Sequence, residues 1–269
     1  MTSQAGTMDL DGRVAIVTGA SAGIGDAVAR ELVACGARVV VNARRGDRLE
    51  ALKADIEQTH GAGRVATAAG DCADAAVIES MFDAAEASFG TPADLVVVNA
   101  GRGLAGSVVS SDQAEWDEVV RTNLLGAAAL MRAAAVRMTA ERESVASDGA
   151  WTREPRDIVV LGSVVGRHVS PFSSMYGSTK FAVHSLAEAL RREIGPGGVR
   201  VTLVEPAVVV SEFQQVAGYT DELVGGFEEK FGPLLVPSDI ARSIAFVTGQ
   251  PAHVHVSDIV VRSTRQEYP

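Results

Sequence analysis

The sequence predicts an α/β domain built on a doubly wound, mostly parallel β-sheet with helices on both faces. Three observations carry that prediction. Short apolar runs at residues 14–17, 95–98 and 158–161 have the length and flanks of strands buried on both faces. Segments of helical period separate successive strand-like runs, which is the rhythm of repeated strand–helix units. The first strand-to-helix junction carries Gly19, Gly23 and Gly25, and such a turn lets backbone approach a bound phosphate closely.

Taken in order, residues 1–10 form a polar, flexible N-terminal tail, and residues 11–269 form one domain. A strand at 14–17 runs through the glycine turn into a helix at 24–33, which stops near Gly36. A second strand at 38–42 completes the first βαβ unit. A helix at 47–59, a strand at 64–69 and a helix at 74–89 follow, the last closed by Gly90 and Pro92. The strand at 95–98 ends in Asn99, Ala100 and Gly101. An alanine-rich helix spans 112–142, and a fifth strand at 158–161 leads straight into Ser163. A helix starting near Ser173 continues to residue 194, where Gly195, Pro196 and Gly197 end it. The sixth strand is 199–204. Two segments break the rhythm. Residues 141–156 are polar and read as a surface excursion. Residues 207–233 are loosely patterned, with four glycines (Gly218, Gly225, Gly226, Gly232), and read as a lid over the ligand crevice. No internal repeat or low-complexity linker divides the chain.

Composition narrows the function classes. With 269 residues the chain is long enough for a substantial core, and its net charge of −10 comes with no basic patch, which argues against a nucleic-acid or anionic-membrane surface. No apolar run in the sequence approaches the length of a membrane span. The N-terminus lacks the basic-then-apolar pattern of a signal peptide, so a cytoplasmic location is expected. Cys35 and Cys72 lack metal-type spacing and read as reduced thiols. No metal site is expected.

The chemistry centres on residues 163–180. Ser163 precedes Tyr176 by thirteen positions (176 − 163), and Lys180 follows Tyr176 by four, so phenol and ammonium share a helix face. A positive charge beside a phenol favours the phenolate, which makes the pair a tunable acid. Ser163, Asn99 and the glycine turn all sit at strand carboxyl ends, where open α/β sheets bind ligands.

These residues together resemble the short-chain dehydrogenase/reductase family over nearly the whole chain. The motifs are the turn Thr18, Gly19, Ser21, Gly23, Ile24 and Gly25; Asn99, Ala100 and Gly101; Asn123; Ser163 with Tyr176 and Lys180; and the run Pro206, Val209, Ser211. The resemblance implies a Rossmann-type seven-stranded sheet and hydride transfer between a nicotinamide and the carbonyl or alcohol carbon of a small polar substrate. By that resemblance Tyr176 is the general acid/base, and Lys180 lowers its pKa and holds the cofactor ribose. Ser163 bonds the substrate oxygen, and Asn123 positions a water that links Lys180 to solvent. It also implies a homotetramer or homodimer formed through residues 127–135 and 181–194, which core packing explains equally well.

Cofactor choice turns on the end of the second strand. Members that prefer NAD often carry an acidic residue there, whereas this chain has Ala43 followed by Arg44 and Arg45. Two guanidinium groups suit a 2′-phosphate, so NADP(H) is the expected cofactor. Asp71 matches an adenine-contacting aspartate of the family, or is a turn or capping residue. Ala207 departs from the family's glycine after Pro206. The C-terminal part resembles serine 3-dehydrogenase-like and clavulanate dehydrogenase-like branches, which act on small, often carboxylate-bearing substrates. Arg102, Arg167 and His168 follow strand ends, and one of them pairs with an anionic substrate group, or all three are surface or interface residues. His184 reads as packing or interface, Trp116 as a helix anchor and Trp151 as a loop cover. Two other functions remain open: a non-catalytic NADP-binding regulator, and a nucleotide-sugar epimerase or dehydratase. The first has no use for a proton donor, and the second usually carries a separate C-terminal substrate domain.

Overall fold

A computed structural model describes residues 8–143, 152 and 154–267. Most of the N-terminal tail, most of the 141–156 excursion and Trp151 lie outside the described residues. Seven strands, β1 (Val14–Thr18), β2 (Arg38–Ala43), β3 (Val65–Ala69), β4 (Leu95–Val98), β5 (Arg156–Leu161), β6 (Val199–Pro206) and β7 (Asp258–Val261), form one sheet. Its order is β3-β2-β1-β4-β5-β6-β7, and every neighbouring pair is parallel. β1 lies between β2 and β4, so the chain reverses its direction of winding at the carboxyl ends of β1 and β4. That reversal opens the crevice in which such sheets hold ligands.

Strand alternation sends successive side chains to opposite faces. Ala15, Val17, Val39 and Val41 meet α1 (Gly23–Ala34), α2 (Gly46–His60) and α9 (Pro237–Thr248) on one face. Val14, Ile16, Val40 and Val96 meet α3 (Ala75–Phe89), α5 (Ala127–Glu143) and α6 (Ser174–Ile194) on the other. Helix limits follow local chemistry. Asp74 caps α3 through a bond from the Ala76 N–H, and Gly90 ends it in the left-handed region. The sequence expects one helix over 112–142. The structure instead has a short 3-10 turn, α4 (Trp116–Val120), a π-turn at Arg121–Gly126 and then α5. The run Gln113–Ala140 is long and apolar enough by composition to cross a membrane, which the sequence reading did not register. Here its apolar stripe is core: Leu130, Ala134 and Met138 are buried against the sheet.

The opposite end of the sheet is fastened by ions. Arg13, just before β1, donates from Nε to Asp94 at 2.8 Å and from Nη2 to Asp157 at 2.8 Å. Arg200 of β6 grips both oxygens of Asp157, at 2.7 and 2.8 Å. Its remaining donors go to the carbonyls of Thr248, Gln250, Pro251 and Val254. The network ties β1, β4, β5 and β6 to the end of α9 at the pole away from the crevice, which leaves the crevice end free for chemistry.

After β6 the chain makes α7 (Phe213–Val216) and α8 (Asp221–Phe231) before α9. The two ends of this excursion are pinned together, because Val209 bridges Leu235 and the Val210 N–H donates to the Leu235 carbonyl at 2.9 Å. Both helices therefore stand on a narrow base beside the crevice.

Candidate active site

The glycine turn is built by exclusion. Gly19 and Gly23 have φ of +68° and +59°, a region that side chains with a Cβ rarely enter. A Cβ on Gly25 would lie 2.3 Å from the Gly19 carbonyl oxygen and 2.6 Å from Asn99 Nδ2, so only glycine allows α1 to start this close to the strand ends. Asn99 Nδ2 donates to the Thr18 carbonyl at 2.7 Å, while the Thr18 hydroxyl accepts from the N–H groups of Asn99 and Ala100. Thr18 is fully buried and Gly25 is buried. These two shape the turn, whereas Gly19, Ser21, Gly23 and Ile24 line a cavity of about 990 Å³. Ala22, the residue before α1, gives no side-chain cap, so the first helical N–H groups face the cavity end without a competing oxygen. That cradle fits a pyrophosphate.

The far end of the cavity receives Ala43, Arg44, Arg45 and Asp71. Arg45 donates to the Ser21 hydroxyl from Nη2 at 2.9 Å and to Glu212 from Nη1 at 3.2 Å. Arg48 donates to the same Glu212 at 2.7 Å. Glu212 thus sits on a cationic cluster like the anion the cluster suits, and the two arginines hold its carboxyl below the usual range. Arg44 reaches Glu118 at 3.1 Å. Burial would raise the Asp71 pKa, but bonds from Arg121 and the Ala73 N–H bring it below the usual range. Asn42 also lines this end, and its buried Oδ1 has no partner among the described residues. Cationic donors and an unused acceptor fit the phosphorylated adenosine half of a dinucleotide.

The strand ends and α6 bring the remaining groups together. Ser163 leaves β5, and its hydroxyl accepts from the Val165 N–H at 3.3 Å and lies near enough to the Tyr176 phenol to draw its pKa down. Tyr176 and Lys180 stand one turn apart on α6, with Nζ 5.8 Å from the Tyr176 ring centre. Burial pushes the Tyr176 pKa well above the ordinary phenol value, Ser163 opposes that rise, and nearby Tyr219 adds to it. Burial likewise pushes Lys180 down to about 8, and its ammonium donates to the Leu161 carbonyl at 2.7 Å. Ser163, Tyr176, Lys180, Gly101, Pro206, Val209 and Ser211 share the one cavity.

Asn123 is placed differently. It is buried beneath the cavity on the π-turn, with both ends of its amide occupied. Oδ1 accepts from the Arg102 N–H at 2.8 Å, and Nδ2 donates to the Arg102 carbonyl and to Thr179. Its side chain fastens the helix to the segment after β4 and to α6.

A family model described as "short chain dehydrogenase" matches residues 13–221. The chain belongs to the short-chain dehydrogenase/reductase family. Among curated relatives, dehydrogenase/reductase SDR family member 11 of Bos taurus is 32% identical over 258 residues, covering 94% of this chain and 97% of that protein. Glycine betaine reductase ATRR of Emericella nidulans is 33% identical over 255 residues, but those cover only 19% of its length. Among solved structures, an alcohol dehydrogenase from the archaeon Thermococcus sibiricus, complexed with 5-hydroxy-NADP, superposes with a TM-score of 0.75. It is 28% identical, and the match covers 96% of this chain and 99% of that one. Members of this dehydrogenase/reductase family bind a nicotinamide cofactor, and the glycine cradle described above fits one.

Within this member, two of the three candidate substrate residues do not reach the cavity. Arg167 turns away and bonds Glu205 from Nε at 2.9 Å as well as from Nη2. Glu205 is fully buried, so it claims the nearest guanidinium to neutralise a carboxylate that water cannot reach. His168 is absent from the cavity lining, and Arg102 lines it but pairs with Glu115. Sequence reasoning used Glu212 and Phe213 only as part of the C-terminal resemblance and did not place them, Arg48 or the other aromatic residues of the excursion after β6 at the site. Phe213 packs its ring on Tyr176 with centroids 5.5 Å apart. His184, read from the sequence as packing or interface, does pack, and its Nε2 also accepts the Ser163 N–H at 3.2 Å. The i,i+4 spacing from Lys180 was the only signal for it.

Proposed function

We propose that the chain transfers a hydride between NADP(H) and the carbonyl carbon of a small molecule, interconverting carbonyl and alcohol. The observation that carries this reading is the Tyr176 phenol beside Ser163 and a buried Lys180, in the cavity that the glycine cradle opens into. The nicotinamide, when bound, supplies or takes up the hydride. The chain's own groups manage the oxygen. The Ser163 hydroxyl donates to the carbonyl oxygen and polarises it. As negative charge grows on that oxygen, Tyr176 releases its phenolic proton to it, completing the alcohol; oxidation runs the same path backwards. Lys180 keeps a positive charge next to the resulting phenolate and offsets the desolvation that otherwise holds the phenol protonated. A binding protein without turnover has no need of this arrangement.

NADP(H) is preferred on the strength of Ala43 and the Arg44–Arg45 pair, and the 5-hydroxy-NADP complex of the Thermococcus sibiricus relative accords with it. A 2′-phosphate would take over the Arg45 and Ser21 donors, with Glu212 moving aside. Charge-assisted bonds contribute about 1.5–3 kcal/mol each. Arg45→Ala should therefore weaken NADPH binding on the order of tenfold or more, while the Kd for NADH changes by less than about twofold. Fluorescence titration of both cofactors reads this, and tighter NADH than NADPH binding by the unaltered protein contradicts the assignment. Exposed Leu125 and Val136 near and on α5, with Phe181 and Leu186 on α6, are suited to the dimer or tetramer we propose for this chain.

A further inference from the structure

The substrate half of the cavity is walled differently from the cofactor half. Val165 and Phe172 close one side, and Phe213, Tyr219, Leu223 and Phe227 close the other. Phe172 is 79% exposed and Leu223 42% exposed, at the mouth of a deep crevice where apolar surface in water is costly. Phe213 fixes the wall beside the reacting phenol, because its ring meets that of Tyr176 at a tilt of 60° and packs against the Gly103 backbone. The only ionic side chains that α8 adds to the lining are Glu222 and Lys230, and Lys230 is engaged by Glu267 at 3.1 Å. Arg102 is held by Glu115 and Arg167 by Glu205. Each of these three cations thus has a carboxylate partner, whereas Lys180 beside the reacting phenol bonds the Leu161 carbonyl.

We infer that this site takes a carbonyl compound bearing a bulky apolar or aromatic substituent, which lodges between Phe172 and the α7–α8 wall, in place of a small carboxylate. The inference rests on the hydride-transfer reading above. Its test compares two methyl ketones of similar carbonyl chemistry, 4-phenyl-2-butanone and 4-oxopentanoate, with NADPH. The expected kcat/KM ratio favours the phenyl ketone by at least about tenfold, since burying a ring out of water is favourable, and Phe227→Ser brings the ratio towards one. Equal or faster turnover of 4-oxopentanoate overturns the substrate class and leaves hydride transfer standing. Turnover of neither ketone, nor of the two corresponding alcohols with NADP+, overturns both.

A separate observation concerns His184. Its ring fills a niche made by Gly162 and Gly166, where an added Cβ would lie 2.3 and 2.4 Å from ring atoms. Nε2 accepts the Ser163 N–H, so the ring proton belongs on Nδ1, which lies 3.9 Å from Glu205. Burial lowers the His184 pKa to about 4, against the pull of Glu205, which keeps the acceptor nitrogen bare at neutral pH. We propose that His184 is a positioning residue that fixes the Ser163 backbone so that its hydroxyl faces Tyr176. His184→Gln keeps an acceptor near that point and His184→Leu does not. The Leu variant should lose kcat about tenfold with the NADPH Kd within about twofold, and the Gln variant should recover most of it, as one hydrogen bond of about 1.4 kcal/mol implies. Equal activities of the two variants overturn the role. The 15N shift of Nε2 in the unaltered protein is a second check that needs no variant: a protonated Nε2 at pH 7 overturns it as well.

Discussion

Tyr176→Phe is expected to lower kcat for carbonyl reduction by about 10³-fold, within the 10²–10⁴ range of a positioned general acid. The substitution removes one oxygen and nothing else. Tyr176 is buried, and its ring packs on Phe213, so phenylalanine keeps the wall and the apolar contacts. The cofactor cradle lies on other elements, α1 and the ends of β1, β2 and β4. NADPH binding should therefore stay within about threefold of the unaltered protein, because only the phenolic proton is lost. Stopped-flow turnover together with a fluorescence titration separates the two effects. Turnover within tenfold of normal would mean that another group delivers the proton. Loss of NADPH binding in parallel would mean that Tyr176 acts through the fold.

Asp157→Ala should cost about 3–5 kcal/mol of stability, the range for removing one partner of a buried ion pair. Asp157 is 2% exposed and serves both Arg13 and Arg200. Without it, two guanidinium groups in the interior lose their shared counter-ion, and the carbonyls around Arg200 offset only part of the charge. Asp157→Asn keeps the shape and some hydrogen bonds and should lose less. Urea unfolding of the three proteins reads the difference. A loss below about 1 kcal/mol for the alanine variant would show that the carbonyls already neutralise Arg200. Because this network lies at the pole opposite the crevice, NADPH affinity measured well below the unfolding transition should not change.

The fold was legible because buried parallel strands write themselves as short apolar runs. Residues 95–98 and 158–161 needed only their flanks to be read, and the glycine turn marked which ends carry ligands. The kink at Asn123 was not legible, because the change from α- to π-turn depends on what the helix packs against, here Arg102 and Thr179. The seventh strand carries no sharp pattern of its own; Asp258–Val261 is a strand because β6 presents an open edge to it. Within the site, spacing revealed Ser163, Tyr176 and Lys180. It did not reveal which arginines are free to bind substrate. Arg167 looks available in the sequence, and only the fold shows the buried Glu205, thirty-eight positions away, that claims it. The same holds for Glu212, which reaches Arg45 across 167 positions. Ion pairing at such separations is a property of the assembled crevice and leaves no local trace.

The proposed reaction is direct hydride transfer at the mouth of the glycine cradle, with Tyr176 and its neighbours handling the proton. It is tested most directly with NADPH carrying deuterium at C4 of the nicotinamide and 4-phenyl-2-butanone as acceptor, followed by mass spectrometry of the alcohol. The account predicts one deuterium at the carbinol carbon with the unaltered protein and none above background with Tyr176→Phe. NADPH that binds yet transfers no deuterium from either C4 face to any carbonyl compound would contradict it.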